Sequence, residues 1–243
     1  MSVPHHAAQG APGARAELAA LAAAYREDPS RVPPYARLRR ARPPRRRPAP
    51  GLPQREASVL VLFGELDART PVGGEAAHHE LDLLLLRRAS GLRNHAGEIA
   101  FPGGGAEAED ADEVATALRE AREETGLDPA GVEVLGTLPV APTVSNFSVT
   151  PVLGWWRTPS PVGVVDEGES AAVFRAPVAR LVDPENRRTT VLSRGGVTWE
   201  MPAFTVEGGL LWGFTAAIVA GLLDELGWAR PWDTSRTVRP PGF

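Results

Sequence analysis

Residues 87–127 constrain the fold of this chain more than any other stretch. Phe101-Pro102 runs into three consecutive glycines, 103–105, followed by an acidic connection and then a run with helical periodicity. Val114, Ala117, Leu118 and Ala121 recur at helical spacing, so one face of that run is apolar and needs a core to pack on. Asp112 stands where an N-cap belongs and Gly126 where the helix should stop, which predicts a helix over 113–125. Away from the apolar stripe lie Glu120, Glu123 and Glu124. Each helical residue advances roughly 100°, so these three carboxylates form one compact patch. Glu120 and Glu124, a turn apart, can reach the same divalent cation.

Hydrolysis of a phosphoanhydride needs charge neutralisation on the phosphates, a held water, and a group that orients or deprotonates it. An oxygen-only patch suits Mg²⁺ or Mn²⁺, which prefer hard carboxylates and phosphate oxygens. Arg119 lies four residues before Glu123 and can brace that carboxylate. The glycines let the backbone approach metal and phosphate where a Cβ would obstruct, and their carbonyls are available as further ligands. Taken alone, 119–124 (REAREE) would suit an ordinary solvated helix of ion pairs. Such a helix does not account for the glycine turn at a fixed offset upstream.

The rest of the chain sets limits. With 243 residues it can hold one good-sized domain, and with no cysteine it has neither disulfides, thiolate metal sites nor a cysteine nucleophile. No apolar run approaches the roughly 18 residues of a membrane span, and the N-terminus lacks an apolar signal core, so a cytoplasmic protein is expected. All basic residues are arginine, and nine of them fall between positions 31 and 55 without a single acid, so the remainder is far more acidic than the net charge of −4 suggests. Residues 1–56 read as a flexible Ala/Pro/Arg-rich arm with one short helix over 15–28. The Arg cluster at 37–47 could meet nucleic acid or another anionic partner, although such a run is more often a solvated tail.

The folded domain is expected over 57–228, with a Pro/Arg-rich tail at 229–243. Strands are predicted at 58–63, 81–88, 132–138 and 149–156, and a short helix at 177–181. Two hairpins follow, turning at Gly195-Gly196 and Gly208-Gly209, and an amphipathic helix over 215–226 closes the domain. His95 fits a hydrogen-bonding loop residue, and the tryptophans at strand positions belong in a core.

From Arg119 to Leu127 the chain meets in full the helix signature of the Nudix box, and it is identified on that basis as resembling the Nudix hydrolases. Upstream, counting from Gly105 puts Ala111 at the box's glutamate position; counting from Gly104 puts Asp110 there, with one extra residue before Arg119. That variant resembles the coenzyme A pyrophosphatase branch. So does a second motif, carried by Leu84, Leu85, Arg88, Ala89, Arg93, Gly97 and Phe101-Pro102-Gly103-Gly104, departing only at Leu86.

The resemblance implies an α/β/α sandwich with a mixed sheet, and hydrolysis of the pyrophosphate in coenzyme A or acyl-CoA. It implies Mg²⁺ or Mn²⁺ on Glu120 and Glu124, assisted by Glu123. A CoA-like substrate would be bound by Arg88, Arg93, Gly97, Phe101, Gly103 and Gly104, with Arg119 and Glu123 in the catalytic set. The general base is Glu169 or, second, Glu123. Rival readings are the same chemistry on ADP-ribose or another nucleoside diphosphate derivative, and a weakly active domain that binds nucleotide or nucleic acid. Isomerase relatives that use a cysteine are excluded. Self-association as a homodimer is left open.

Overall fold

The computed structural model describes residues 13–37, 55–66, 77–92, 94–142, 147–194 and 197–241. Its centre is a mixed sheet. β1 (Arg55–Glu65) and β7 (Phe147–Trp156) run parallel side by side, with Val59 opposite Pro151 and Phe63 opposite Trp155. β2 (Leu81–Arg88), β3 (Ile99–Ala100), β4 (Gly103–Gly105), β5 (Val132–Thr137), β6 (Ala141–Pro142) and β8 (Ser170–Pro177) join it in antiparallel pairings.

Strand residues alternate between faces, and both faces here are apolar. Leu60 and Leu62 of β1, Leu84 of β2 and Val152 and Trp156 of β7 pack with Ala117, Ala121 and Leu127, around the helix α3 (Glu113–Thr125). Val61, Phe63, Leu83, Leu85, Leu153 and Trp155 point the other way, into a larger core. The sheet is therefore covered on both sides, as an α/β/α sandwich requires.

β1 and β2 pair only where they are closest to the loop that joins them, Phe63 with Leu83 and Glu65 with Leu81. Beyond that they diverge. The far half of β1 pairs with β4, Ala57 with Gly105 and Val59 with Gly103, while the far half of β2 pairs with β3. The segment 99–105 thus crosses the fork from one strand to the other, and Leu60 N–H donates to the Pro102 carbonyl at 2.8 Å on the way. The glycines expected as a turn are in fact a strand. Propensity disfavours glycine in strands, so the pairing was hidden from sequence.

A second sheet has the order β11–β10–β9–β12, from β9 (Arg187–Arg194), β10 (Val197–Val206), β11 (Gly209–Leu211) and β12 (Thr237–Val238). The short helix expected over 177–181 is α4 (Val178–Val182), and α5 (Gly213–Glu225) lies between this sheet and the main core. It is not amphipathic as expected: every residue from Thr215 to Leu223 is buried. Such a helix is apolar all round because it is covered all round.

Part of that cover comes from the segments expected to be free. α1 (Ala14–Glu27) matches the predicted helix but is no part of a flexible arm. Leu18 is fully buried in the core with Leu21, Ala22 and Tyr25. Arg15 forms an ion pair with Glu133, the Trp228 indole donates to Glu17 at 2.6 Å, and the Tyr25 hydroxyl donates to Glu225. The short helix α2 (Pro34–Arg37) lies on α5, so close that a Cβ on Gly221 would come within 3.2 Å of Tyr35 N. The tail is likewise held, since β12 pairs in parallel with β9 and Trp232 stacks on Arg187. An alanine-rich amphipathic helix offers a stripe of apolar surface, and that stripe has found the core. Most of the Arg cluster, the Gly195-Gly196 turn and Arg93 lie outside the described residues.

Candidate active site

The site forms where the fork in the sheet meets α3. Asp112 caps the helix as expected, accepting from Ala115 N–H at 2.8 Å, and Gly126 ends it in the left-handed region at φ 72°. β4 lies along the helix flank. A Cβ on Gly104 would sit 2.4 Å from the Glu120 carboxylate, and one on Gly103 would sit 2.3 Å from the Ser58 carbonyl. Only glycine lets strand and acidic helix approach so closely. Gly103 N–H donates to Glu124 at 2.9 Å, a contact the sequence did not announce.

Arg119 is the hub on the outer side. Its Nε and Nη2 grip Asp110 at 3.0 and 2.9 Å, Nη2 also donates to the Gly105 carbonyl at 2.9 Å, and Nη1 donates to Glu120 and Glu123, both at 3.1 Å. Thr116 Oγ1 adds a donation to Asp110 at 3.0 Å. The guanidinium beside it holds the Asp110 carboxyl well below the usual carboxylate range. Asp110, one residue out of step in the sequence, thus completes the bidentate pair that fixes Arg119. With each of its nitrogens engaged, Arg119 sets the carboxylates in place rather than reaching a substrate.

Glu124 is buried, 6% exposed, with Arg88 Nη1 at 3.6 Å. Burial pushes its carboxyl up to about 7; the Gly103 hydrogen bond and Arg88 oppose this, and the nearby charges of Glu120 and Glu169 add to it. Burial also raises Glu120 above the usual range, against the pull of Arg119. Glu123 points outward and is half exposed.

Glu169 is exposed, at the end of a loop tied to both sides of the site. Gly163 N–H donates to the Thr125 carbonyl at 2.9 Å, and Ala89 N–H donates to the Glu169 carbonyl at 2.8 Å. Arg88 and Glu169 are therefore neighbours through the backbone. The loop bearing His95 (φ 57°) and Gly97 (φ 72°) stands on the rim, with His95 Nδ1 2.9 Å from Glu98 Oε2. Phe101, expected to touch substrate, is 2% exposed and packed in the core, so it anchors the 99–105 crossing instead. The structure brings together Arg88, Gly103, Gly104, Arg119, Glu120, Glu124 and Glu169.

Among the described residues no three carboxylates or imidazoles are clustered tightly enough to cage an ion unaided. The donors nevertheless fit Mg²⁺ or Mn²⁺, which keep several waters and take one or two protein carboxylates plus substrate oxygens. A buried and a half-buried acid that repel each other reinforce this, because a divalent cation relieves a repulsion that protonation otherwise must. Glu120 and Glu124 would hold the ion, with Glu123 beside them.

A pH signature follows. Below about pH 7 the ion must displace a proton from Glu124, so Mn²⁺ affinity is expected to fall roughly tenfold per pH unit there and to level off above it. The metal-free fold holds that proton more tightly than the unfolded chain does. Its contribution to stability is therefore complete at low pH, declines as pH rises from the ordinary 4.5 to about 7, and is constant beyond. Calorimetric Mn²⁺ titrations at pH 6, 7 and 8 in buffers of different ionisation enthalpy check both affinity and proton release; pH-independent affinity would refute it.

Fold and site together define a hydrolase of pyrophosphate bonds. A family profile described as NUDIX domain matches residues 75–152. Proteins named "Uncharacterized Nudix hydrolase NudL" from Salmonella paratyphi B and Salmonella newport are 38% identical over 182 residues, covering 72% of this chain and 85% of theirs. The chain belongs to the Nudix hydrolase family, whose members generally use divalent cations and act on small nucleotide substrates. Among solved structures, a Nudix hydrolase from M. smegmatis, RenU, is similar at 17% identity with a TM-score of 0.48, covering 74% of this chain and 90% of that one. No helix among the described residues is long and apolar enough to cross a membrane.

Proposed function

We propose that this protein hydrolyses the pyrophosphate of coenzyme A or an acyl-CoA, releasing 3′,5′-ADP and 4′-phosphopantetheine or its acyl form. One observation carries the reading. The upstream motif that sets this branch apart ends in the same fork as the box helix, so that Arg88, the Gly103-Gly104 backbone and Glu124 meet at one point.

In this reading Arg88 binds a phosphate oxygen, and the planar guanidinium suits that geometry. By the resemblance Arg93 would do the same. Glu169, exposed and held beside Arg88, accepts a proton from the attacking water, with Glu123 as the second candidate. The water oxygen bonds to one phosphorus as the bridging P–O bond breaks, and the departing phosphate leaves with the bridging oxygen. A bound divalent cation supplies charge neutralisation on both phosphates. Glu120 and Glu124 would hold it, and Arg119 with Asp110 keeps those carboxylates aimed.

The test is a substrate panel: purified protein with Mg²⁺ and, separately, CoA, an acyl-CoA, ADP-ribose, NADH and dinucleoside polyphosphates. CoA or acyl-CoA is expected to give the highest kcat/KM. Faster turnover of ADP-ribose would overturn the substrate assignment while leaving the chemistry intact.

A further inference from the structure

Ser170 has no part in the chemistry above, yet its environment is unusual. It is 1% exposed, and its Oγ has no hydrogen-bond partner. A buried hydroxyl without a partner is costly, so it calls for an explanation.

The strand pairing supplies one. β8 follows β2 in steady register from Asp82 opposite Pro177 to Arg87 opposite Ala172, and then shifts, so that Arg88 stands opposite Ser170 and Ala171 is the extra residue. Such a bulge re-aims the side chains beyond it. Without it Arg88 would face Ala171, which has nothing to offer a guanidinium. Directly opposed residues of an antiparallel pair share a face, with Cβ atoms about 4.5–5.5 Å apart. The face is the one from which Arg88 reaches Glu124, and at 3.6 Å that ion pair is loose.

We infer that Ser170 is a positioning residue for Arg88: its Oγ accepts a guanidinium N–H when Arg88 turns from Glu124 to a phosphate of the substrate. The inference rests on Arg88 being a phosphate-binding residue. Arginine presents five donors in a fixed fork. Anchoring one of them from behind leaves the others aimed at the phosphate, and reduces the freedom lost on binding. The bulge is then the device that puts an oxygen, rather than a methyl group, behind the arginine.

The test is a double-mutant cycle over Ser170→Ala and Arg88→Ala, with Ser170→Thr as the conservative variant. It is read in KM and kcat for CoA with Mg²⁺, and separately in the Kd of ADP, a pyrophosphate probe that requires no turnover. Ser170→Ala is expected to raise KM and the Kd of ADP about five- to tenfold while kcat changes less than about twofold, the scale of one hydrogen bond. Ser170→Thr should recover most of the loss, and Ser170→Ala should cost nothing further once Arg88 is Ala.

Equal losses in the presence and absence of Arg88 would overturn the inference, as would a Ser170→Ala effect confined to kcat and abolished by Glu169→Gln, which would make the hydroxyl a partner of Glu169. If ADP binding shows the coupling but CoA is not hydrolysed, the substrate assignment falls and the inference stands. No measurable ADP binding by the unaltered protein would overturn both.

Discussion

Glu124→Gln should reduce metal-dependent hydrolysis by about 10³-fold or more while leaving the fold intact, because in the proposed site it removes the charge that would hold the cation. The amide is nearly isosteric, and its oxygen still accepts from Gly103 N–H. It also removes a carboxylate whose burial raises its proton affinity, so above about pH 7 the metal-free variant should melt no lower than the parent protein. Activity assays across Mg²⁺ concentrations, paired with thermal melts, separate the two effects. An active variant would remove Glu124 from the metal site, and a variant that loses activity only by unfolding would leave its role unproved by this means and sink the claim of an intact fold.

Leu18→Ala is the second large effect, and it falls in a segment that composition marks as an arm. Leu18 is fully buried against the core from the middle of α1. Removing a buried leucine side chain costs roughly 2–5 kcal/mol. At about 2–4 °C per kcal/mol for a chain of this size, the midpoint should drop by roughly 7–14 °C for a mid-range loss. A dangling helix would show no change, so differential scanning calorimetry decides. Deleting residues 1–30 should be more damaging still, since it removes Tyr25 from Glu225 and Glu17 from Trp228 as well.

The contrast explains which parts of the molecule were legible. α3 was read to its first and last residues because its signals are local: a capping aspartate, a stopping glycine and an apolar stripe all lie within fifteen residues. β2 was read equally well, since a run such as LDLLLLRR has few other places to go. Of the candidate site, Glu120, Glu124 and the glycines were legible through spacing. What could not be read is everything set by pairing at a distance. β4 consists of glycines and takes its strand geometry from β1. β8 was missed, and with it the register that sets Glu169 and Ser170 beside Arg88. Phe101 sits inside a motif, and motif membership does not tell a side chain that meets substrate from one that meets the core. The packing of α1 was invisible because the Pro/Arg-rich composition around it says nothing about where a single apolar stripe will dock.

The fork between β1 and β2 has a consequence for how such a site can change. Inside an unbroken sheet every main-chain amide is committed to a neighbouring strand. Where two strands part, some are released, and here Gly103 offers its N–H to a carboxylate instead. The frame of the candidate site is thus a seam in the backbone, secured by ladders on either side that do not depend on the chemistry proposed there. Side chains along the seam can be exchanged for a new substrate without reworking the ladders, whereas a substitution that closed the seam would erase the site without touching a single acid.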